Sequence, residues 1–269
     1  MVSHDKKQPI GIFDSGIGGL TVANAIMRHL PEEQLIYFGD TTHFPYGDKS
    51  ADNIRFYSLK ISKFLLEQGC KMIVVACNSA SSTAYKDLLE FFSHVGLFVN
   101  VVDPLVRAVC VENKKKVGVI ATKATINSGV YERRLKELCP DTEVVSLATP
   151  LLAPMIEEGF VHNQVSSAVL SSYLSQPELE GIEALLLACT HYPLIRDDIS
   201  AYFDHKVQIL DSTDIVALEI KSKLKEMNLL NDKRVASNTF YVSDYTDSFE
   251  QTARFFYKDH VRLQERDIW

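Results

Sequence analysis

The chain has 269 residues, 46% hydrophobic, 10% aromatic and 23% charged, which is enough apolar material for one large or two modest cores and rules out a disordered, collagen-like or fibrous chain. With 28 Lys and Arg against 35 Asp and Glu the formal charge is −7, and the longest basic block is Lys114, Lys115 and Lys116, so no nucleic-acid partner is expected. No apolar run reaches the roughly 18 residues of a membrane span, and the opening MVSHDKKQPIGIF lacks a signal peptide's apolar stretch and cleavage site, so the chain reads as a cytoplasmic protein with no membrane partner.

Strands and helices alternate along the sequence. PIGIF, QLIYF, KMIVVA, LFVNVV, KVGVIA, EVVSLA, ALLLACT, KVQIL and TFYVS are short apolar runs bounded by polar or turn residues, the pattern of strands buried on both faces of a parallel sheet. Between the first two lies the helical stretch LTVANAIMRHL. Ile54, Tyr57, Ile61, Phe64 and Leu65 recur at helical spacing, and Leu218 to Leu229 continues an amphipathic pattern. The order implies a doubly wound α/β architecture, whose ligands sit beyond the carboxyl ends of the strands.

The two halves repeat one plan. GIFDSG at 11–16 resembles GVIATK at 118–123, an offset of 107, and IVVACNSA around Cys77 resembles LLLACTHY around Cys189, an offset of 112. Two similar α/β domains with a pseudo-twofold relation are therefore expected: residues 1–101 joined by the returning tail 212–269, and residues 102–211. The cleft between them is the expected site.

Five cysteines, an odd number in a chain this large, fit a reducing compartment better than a disulfide framework. Cys77 and Cys189 each follow a buried strand and precede a small-residue turn, where α/β folds expose reactive groups. A lone cysteine there reads as a small core hydrophobe; two at equivalent positions of a repeat favour chemistry. Zinc would want four N or S ligands, and Cys189 with His191 is a thin basis in the absence of any CxxC, so no metal is assigned. A cysteine protease would leave the second thiol without purpose. Cys70, Cys110 and Cys139 carry no assigned role.

The loop DSGIGG, Asp14 to Gly19, follows the first strand and opens the first helix, a setting suited to an anion, although it is neither GxGxxG nor a Walker sequence. Asp14 reads either as a thiol's proton partner or as a helix cap. Further donors recur at strand ends: Pro45, Tyr46 and Gly47 in GDTTHFPYGDKS, Asn78 and Ser79, Thr122 and Thr125, and Thr190. Each alone is turn or cap chemistry. Together, with no clustered arginine, they suit a small polar zwitterion or dicarboxylate.

DSGIGG, YFGDTTHFPYGDKS, ACNSAS and ACTHYPL, in this order over nearly the whole chain, resemble the glutamate racemases, cofactor-independent enzymes that supply D-glutamate for bacterial peptidoglycan. Related aspartate and hydantoin racemases share the paired cysteines but not the THYP continuation, so Thr190, His191, Tyr192 and Pro193 favour glutamate. Ser79 stands where the family usually has threonine and Ala188 where it usually has glycine. The resemblance implies that Cys77 and Cys189 are the two acid/bases, assisted by Asp14 and His191. It also implies that Ser15, Pro45, Tyr46, Gly47, Asn78, Ser79, Thr122, Thr125 and Thr190 hold glutamate, that Asp40 and Glu157 line the cleft, that no cofactor is needed, and that the protein is a homodimer. The longer N-terminal segment through which some members are activated is not expected, since the first motif begins at Asp14. The alternatives are an aspartate or related racemase, a non-catalytic thiol or metal-binding protein, and a nucleotide-binding module built on the glycine loop.

Overall fold

All nine apolar runs form strands in the computed structural model, which describes residues 5–257 and 261–269. They are β1 (Ile10–Asp14), β2 (Leu35–Gly39), β3 (Met72–Val75), β4 (Leu97–Asn100), β5 (Lys116–Ala121), β6 (Glu143–Ala148), β7 (Ala184–Ala188), β8 (Gln208–Asp211) and β9 (Thr239–Val242). A tenth, β10 (Leu263–Glu265), was not expected. The helices are α1 (Leu20–His29), α2 (Ala51–Glu67), α3 (Asn78–Thr83), α4 (Tyr85–Phe92), α5 (Val102–Val111), α6 (Lys123–Asn127), α7 (Val130–Leu138), α8 (Leu152–Glu157), α9 (Gln164–Leu174), α10 (Arg196–Tyr202), α11 (Thr213–Glu226) and α12 (Asp247–Tyr257). The amphipathic stretch expected from Leu218 to Leu229 is shifted: α11 starts five residues earlier and ends at Glu226, with Leu218 itself exposed.

The strands make two sheets, ordered β10-β9-β2-β1-β3-β4 and β6-β5-β7-β8, and every pairing is parallel. The blocks β2-β1-β3-β4 and β6-β5-β7-β8 have the same order, so the fold repeats as the sequence does. Strands β1, β2, β3 and β7 are buried along their whole length, because helices cover both faces, and this explains their unbroken apolar runs. β9 and β10 extend the first sheet beyond β2.

One apolar cluster runs from Ile10 and Ile12 of β1 through α1 and α11 to Leu185 and Leu187 of β7, so the two sheets share packing. At its margin Lys71, fully buried, holds Glu33 at 2.7 Å and donates to the Leu229 carbonyl at 2.8 Å, which satisfies the buried charge and pins the chain after α11. Cys110 and Cys139, expected to stay unpaired, are joined by a disulfide with Cα atoms 5.6 Å apart, because α5 and α7 pack with their C-terminal ends adjacent. Cys70 is a free thiol whose titration burial pushes up to about 12. Trp269, the single tryptophan, lies edge-on to His43 at 4.5 Å and to Tyr57 at 5.4 Å, and His43 and Tyr57 stack at 4.0 Å. No helix among the described residues is long and apolar enough to cross a membrane.

Candidate active site

In each sheet the chain builds outward from a central strand in one direction and then returns to its other side, and the crevice left at that switch point is where α/β folds bind ligands. In the first sheet the crevice lies beyond β1 and β3, and in the second beyond β5 and β7. The residues just past these four strands are Ser15, Cys77, Thr122 and Cys189, and all four line one tight cavity with about 20 Å³ of free space. Pro45, Tyr46, Gly47, Asn78, Ser79, Thr190 and His191 complete the expected lining. Phe44 and Ala153 line it as well and were not expected. Larger surface grooves exist, one of about 610 Å³ between Tyr245 and Leu263, but among the described residues no cysteine or histidine lines it.

Four expected residues stand behind this lining. Asp14 is fully buried; its Oδ2 accepts the N–H groups of Gly16 at 3.3 Å and Gly19 at 3.0 Å, and its Oδ1 lies 3.5 Å from the Thr190 hydroxyl. It thus folds the glycine loop and reaches the second cysteine's neighbour at once, while α1 has no side-chain cap. Asp40 backs Tyr46, whose hydroxyl donates to it at 2.6 Å, and also takes the Ser243 hydroxyl at 2.9 Å and His43 Nδ1 at 2.9 Å. Thr125 supports Thr122 through its N–H at 3.4 Å. Glu157, on α8, meets His191.

The two thiols have unlike surroundings. Cys77 is buried and precedes α3, where the Ala80 N–H reaches Sγ at 3.5 Å and the thiol reaches Ser15 Oγ at 3.7 Å. Burial and then the negative charge of Asp14 push its titration well above the usual thiol range, against those hydrogen bonds, so it rests protonated. Cys189, also buried, has its sulfur 3.6 Å from His191 Nδ1, and His191 Nε2 lies 2.7 Å from Glu157 Oε1. Burial alone would lower the titration of His191. Hydrogen bonds to Cys189 and Glu157 outweigh it and raise the imidazole well above its ordinary value, so the ring is held as a cation between a sulfur and a carboxylate.

Glycines make room for this meeting. A Cβ on Gly18 would run into His191 Cε1 and lie 2.7 Å from Thr190 Oγ1, and one on Gly39 would strike the Gly16 carbonyl. Across the cavity Ser79 and Thr122 share a hydrogen bond at 2.9 Å, and Thr21 donates to the Thr190 carbonyl at 3.1 Å. Tyr192 is fully buried and bonds Thr149 at 2.7 Å, so the tyrosine of the THYP run is scaffolding for His191 and does not line the cavity. Among the described residues no lysine or arginine lines the cavity; its polar groups are hydroxyls, the Asn78 amide, the two thiols and the His191 ring. Among the described residues, no three His, Cys, Asp or Glu side chains gather as metal ligands would. One thiol follows a strand of each sheet and both line the cavity, one against the Ser15 hydroxyl and the other against the His191 ring, an arrangement whose chemistry suits proton transfer.

Residues 20–220 match the model of the Asp/Glu/Hydantoin racemase family. A glutamate racemase of Geobacter metallireducens is 40% identical over 249 residues, covering 92% of this chain and 92% of its own. The crystal structure of glutamate racemase from Francisella tularensis in complex with D-glutamate superposes with a TM-score of 0.92 at 37% identity, and that from Thermus thermophilus in complex with β-chloro-D-alanine with 0.88 at 39%, each covering 98% of both chains.

Proposed function

The chain belongs to the Asp/Glu/Hydantoin racemase family, and on that premise we propose that it interconverts L- and D-glutamate by direct proton transfer between Cys77, Cys189 and the α-carbon. The observation that carries the mechanism is that two buried thiols, one following a strand of each sheet, line one cavity, with His191 against the sulfur of Cys189. In the L-to-D direction Cys189, relieved of its proton with His191 at its side, takes the α-proton from one face. Cys77, resting as a thiol, delivers its proton to the other face and is left as a thiolate, which solvent reprotonates with Asp14 as the relay. The reverse reaction exchanges these roles. Asp14 and His191 are thus proton partners, while Glu157 acts through His191 and Asp40 through Tyr46 as positioning residues.

The α-proton is weakly acidic, so stabilising the carbanionic transition state must supply much of the rate. Ser15, Asn78, Ser79, Thr122 and Thr190, with Thr125 behind Thr122 and the turn Pro45, Tyr46 and Gly47, hold the substrate with fixed hydroxyl and amide dipoles among largely buried side chains, where such dipoles act strongly. No step requires a cofactor. We assign residues 1–101 with 212–269 to one domain and 102–211 to the other, so that each contributes one cysteine. We further read the protein as a cytoplasmic homodimer that supplies D-glutamate for peptidoglycan; sedimentation analysis tests the dimer.

The decisive experiment follows the circular dichroism of L-glutamate and of D-glutamate with purified protein and no additive. Both should decay to the same racemic end point. A signal unchanged from either enantiomer rejects the reading.

A further inference from the structure

Asn78 is the first residue of α3, directly after Cys77, and is 3% exposed. Its Oδ1 accepts a hydrogen bond of 2.7 Å from the hydroxyl of Tyr131. Its Nδ2 is buried in the cavity lining and has no hydrogen-bond partner among the described residues. A buried amide donor left unpaired is costly, and native proteins keep one where a ligand answers it. Tyr131 lies outside every motif discussed above: it sits on α7, packed with the second sheet, whereas Asn78 follows a strand of the first. Tyr131 is itself 3% exposed, and burial, then the charges of Cys189 and Asp103, keep its phenol protonated as a donor.

We infer that Tyr131 is a positioning residue for substrate binding, its hydroxyl reaching across from the second half to fix the Asn78 amide so that Nδ2 donates to a carboxylate oxygen of glutamate. An amide can turn over. With Nδ2 toward Tyr131, the Asn78 oxygen would face the substrate carboxylate and repel it; with the tyrosine donating to Oδ1, the attractive end faces the cavity. The contact also spans the two halves, so Asn78 is correctly presented only when they are closed on each other. A recognition group on one half is thereby made conditional on a hydroxyl from the other.

This inference rests on the glutamate racemase reading, and a double-mutant cycle separates the two. Tyr131→Phe, Asn78→Ala and the double variant are assayed for kcat and KM with both enantiomers, and D-glutamate affinity is measured by calorimetry. Tyr131→Phe should raise KM and Kd roughly tenfold, the worth of one oriented buried hydrogen bond, with a smaller change in kcat and an unchanged near-ultraviolet spectrum. In the Asn78→Ala background the same change should cost less than about twofold, because the tyrosine acts only through that amide. Asn78→Asp gives a check that leaves Tyr131 in place: the hydroxyl keeps an acceptor, the substrate loses its donor, and KM should rise as in Asn78→Ala. Equal losses from Tyr131→Phe in both backgrounds, or wild-type KM in Tyr131→Phe, overturn the inference. Wild-type protein that binds glutamate without racemising it would sink the parent reading alone, since the calorimetric cycle still decides Tyr131; protein that does neither sinks both.

Discussion

Glu157 Oε1 lies 2.7 Å from His191 Nε2, on the side of the ring away from Cys189, so a single imidazole joins a carboxylate to a thiol. The carboxylate is one of the groups that hold the proton on His191, and replacing it has a definite sign. Glu157→Gln should lower the titration of His191, and the alkaline limb of kcat/KM for L-glutamate should move to lower pH. The stability effect follows by linkage. A histidine raised above 6.5 in the folded state contributes stability that is fully present below the unfolded value and is lost as pH rises through the folded one. Urea midpoints of wild type and variant should therefore differ most near pH 6 and converge in alkali. Identical pH profiles would remove Glu157 from the relay.

The two thiols should fail in opposite senses. Cys77→Ser and Cys189→Ser should each cut racemisation by roughly a hundredfold or more, since a hydroxyl ionises far less readily than a thiol. Each variant can retain elimination from a substrate analogue carrying a good leaving group, Cys189→Ser on the D-enantiomer and Cys77→Ser on the L-enantiomer. In heavy water the wild type should place deuterium mainly in the product enantiomer. Rapid exchange into unreacted substrate would indicate a single base serving both faces.

Asp40 accepts from Tyr46, Ser243 and His43 while fully buried, so Asp40→Ala would leave buried donors unanswered. The loss of stability should be about 3 kcal/mol, read from urea unfolding at unchanged slope. Asp40→Asn, which keeps one acceptor, should cost less. A change within about 0.5 kcal/mol for the alanine variant would refute the bracing role.

Substrate choice offers a separate check. Aspartate should turn over far more slowly than glutamate in the same assay, because the THYP run carrying His191 is the part of the sequence whose resemblance favours glutamate over aspartate. Comparable kcat/KM for aspartate would move the assignment to the sister activity.

Much of this was legible before any coordinates, and the physical reason differs from element to element. β1, β2, β3 and β7 stood out because a strand buried on both faces must be apolar throughout, whereas β10 is three residues long with only Leu263 buried and leaves no such trace. Cys77, Cys189, Ser15 and Thr122 could be read because strand ends place them and their chemistry is distinctive. Phe44 and Ala153 carry no polar signature, and Ala153 lies in no motif. That Asp40 would stand behind Tyr46, or that Tyr131 would reach Asn78, depends on packing between segments 6 and 53 residues apart, which no local pattern encodes. The same holds for the disulfide: Cys110 and Cys139 lie 29 residues apart, and only the docking of α5 against α7 makes them neighbours.

Trp269 rests on His43, and His43 is held by Asp40, the same carboxylate that holds Tyr46 at the cavity wall. All the tryptophan fluorescence of this chain therefore arises at one spot, behind the loop whose Phe44, Pro45, Tyr46 and Gly47 line the cavity. Without any label, the emission of the native protein should therefore report on that loop: a ligand that shifts Tyr46 is expected to disturb the imidazole beside the indole and change its brightness, timing binding separately from turnover.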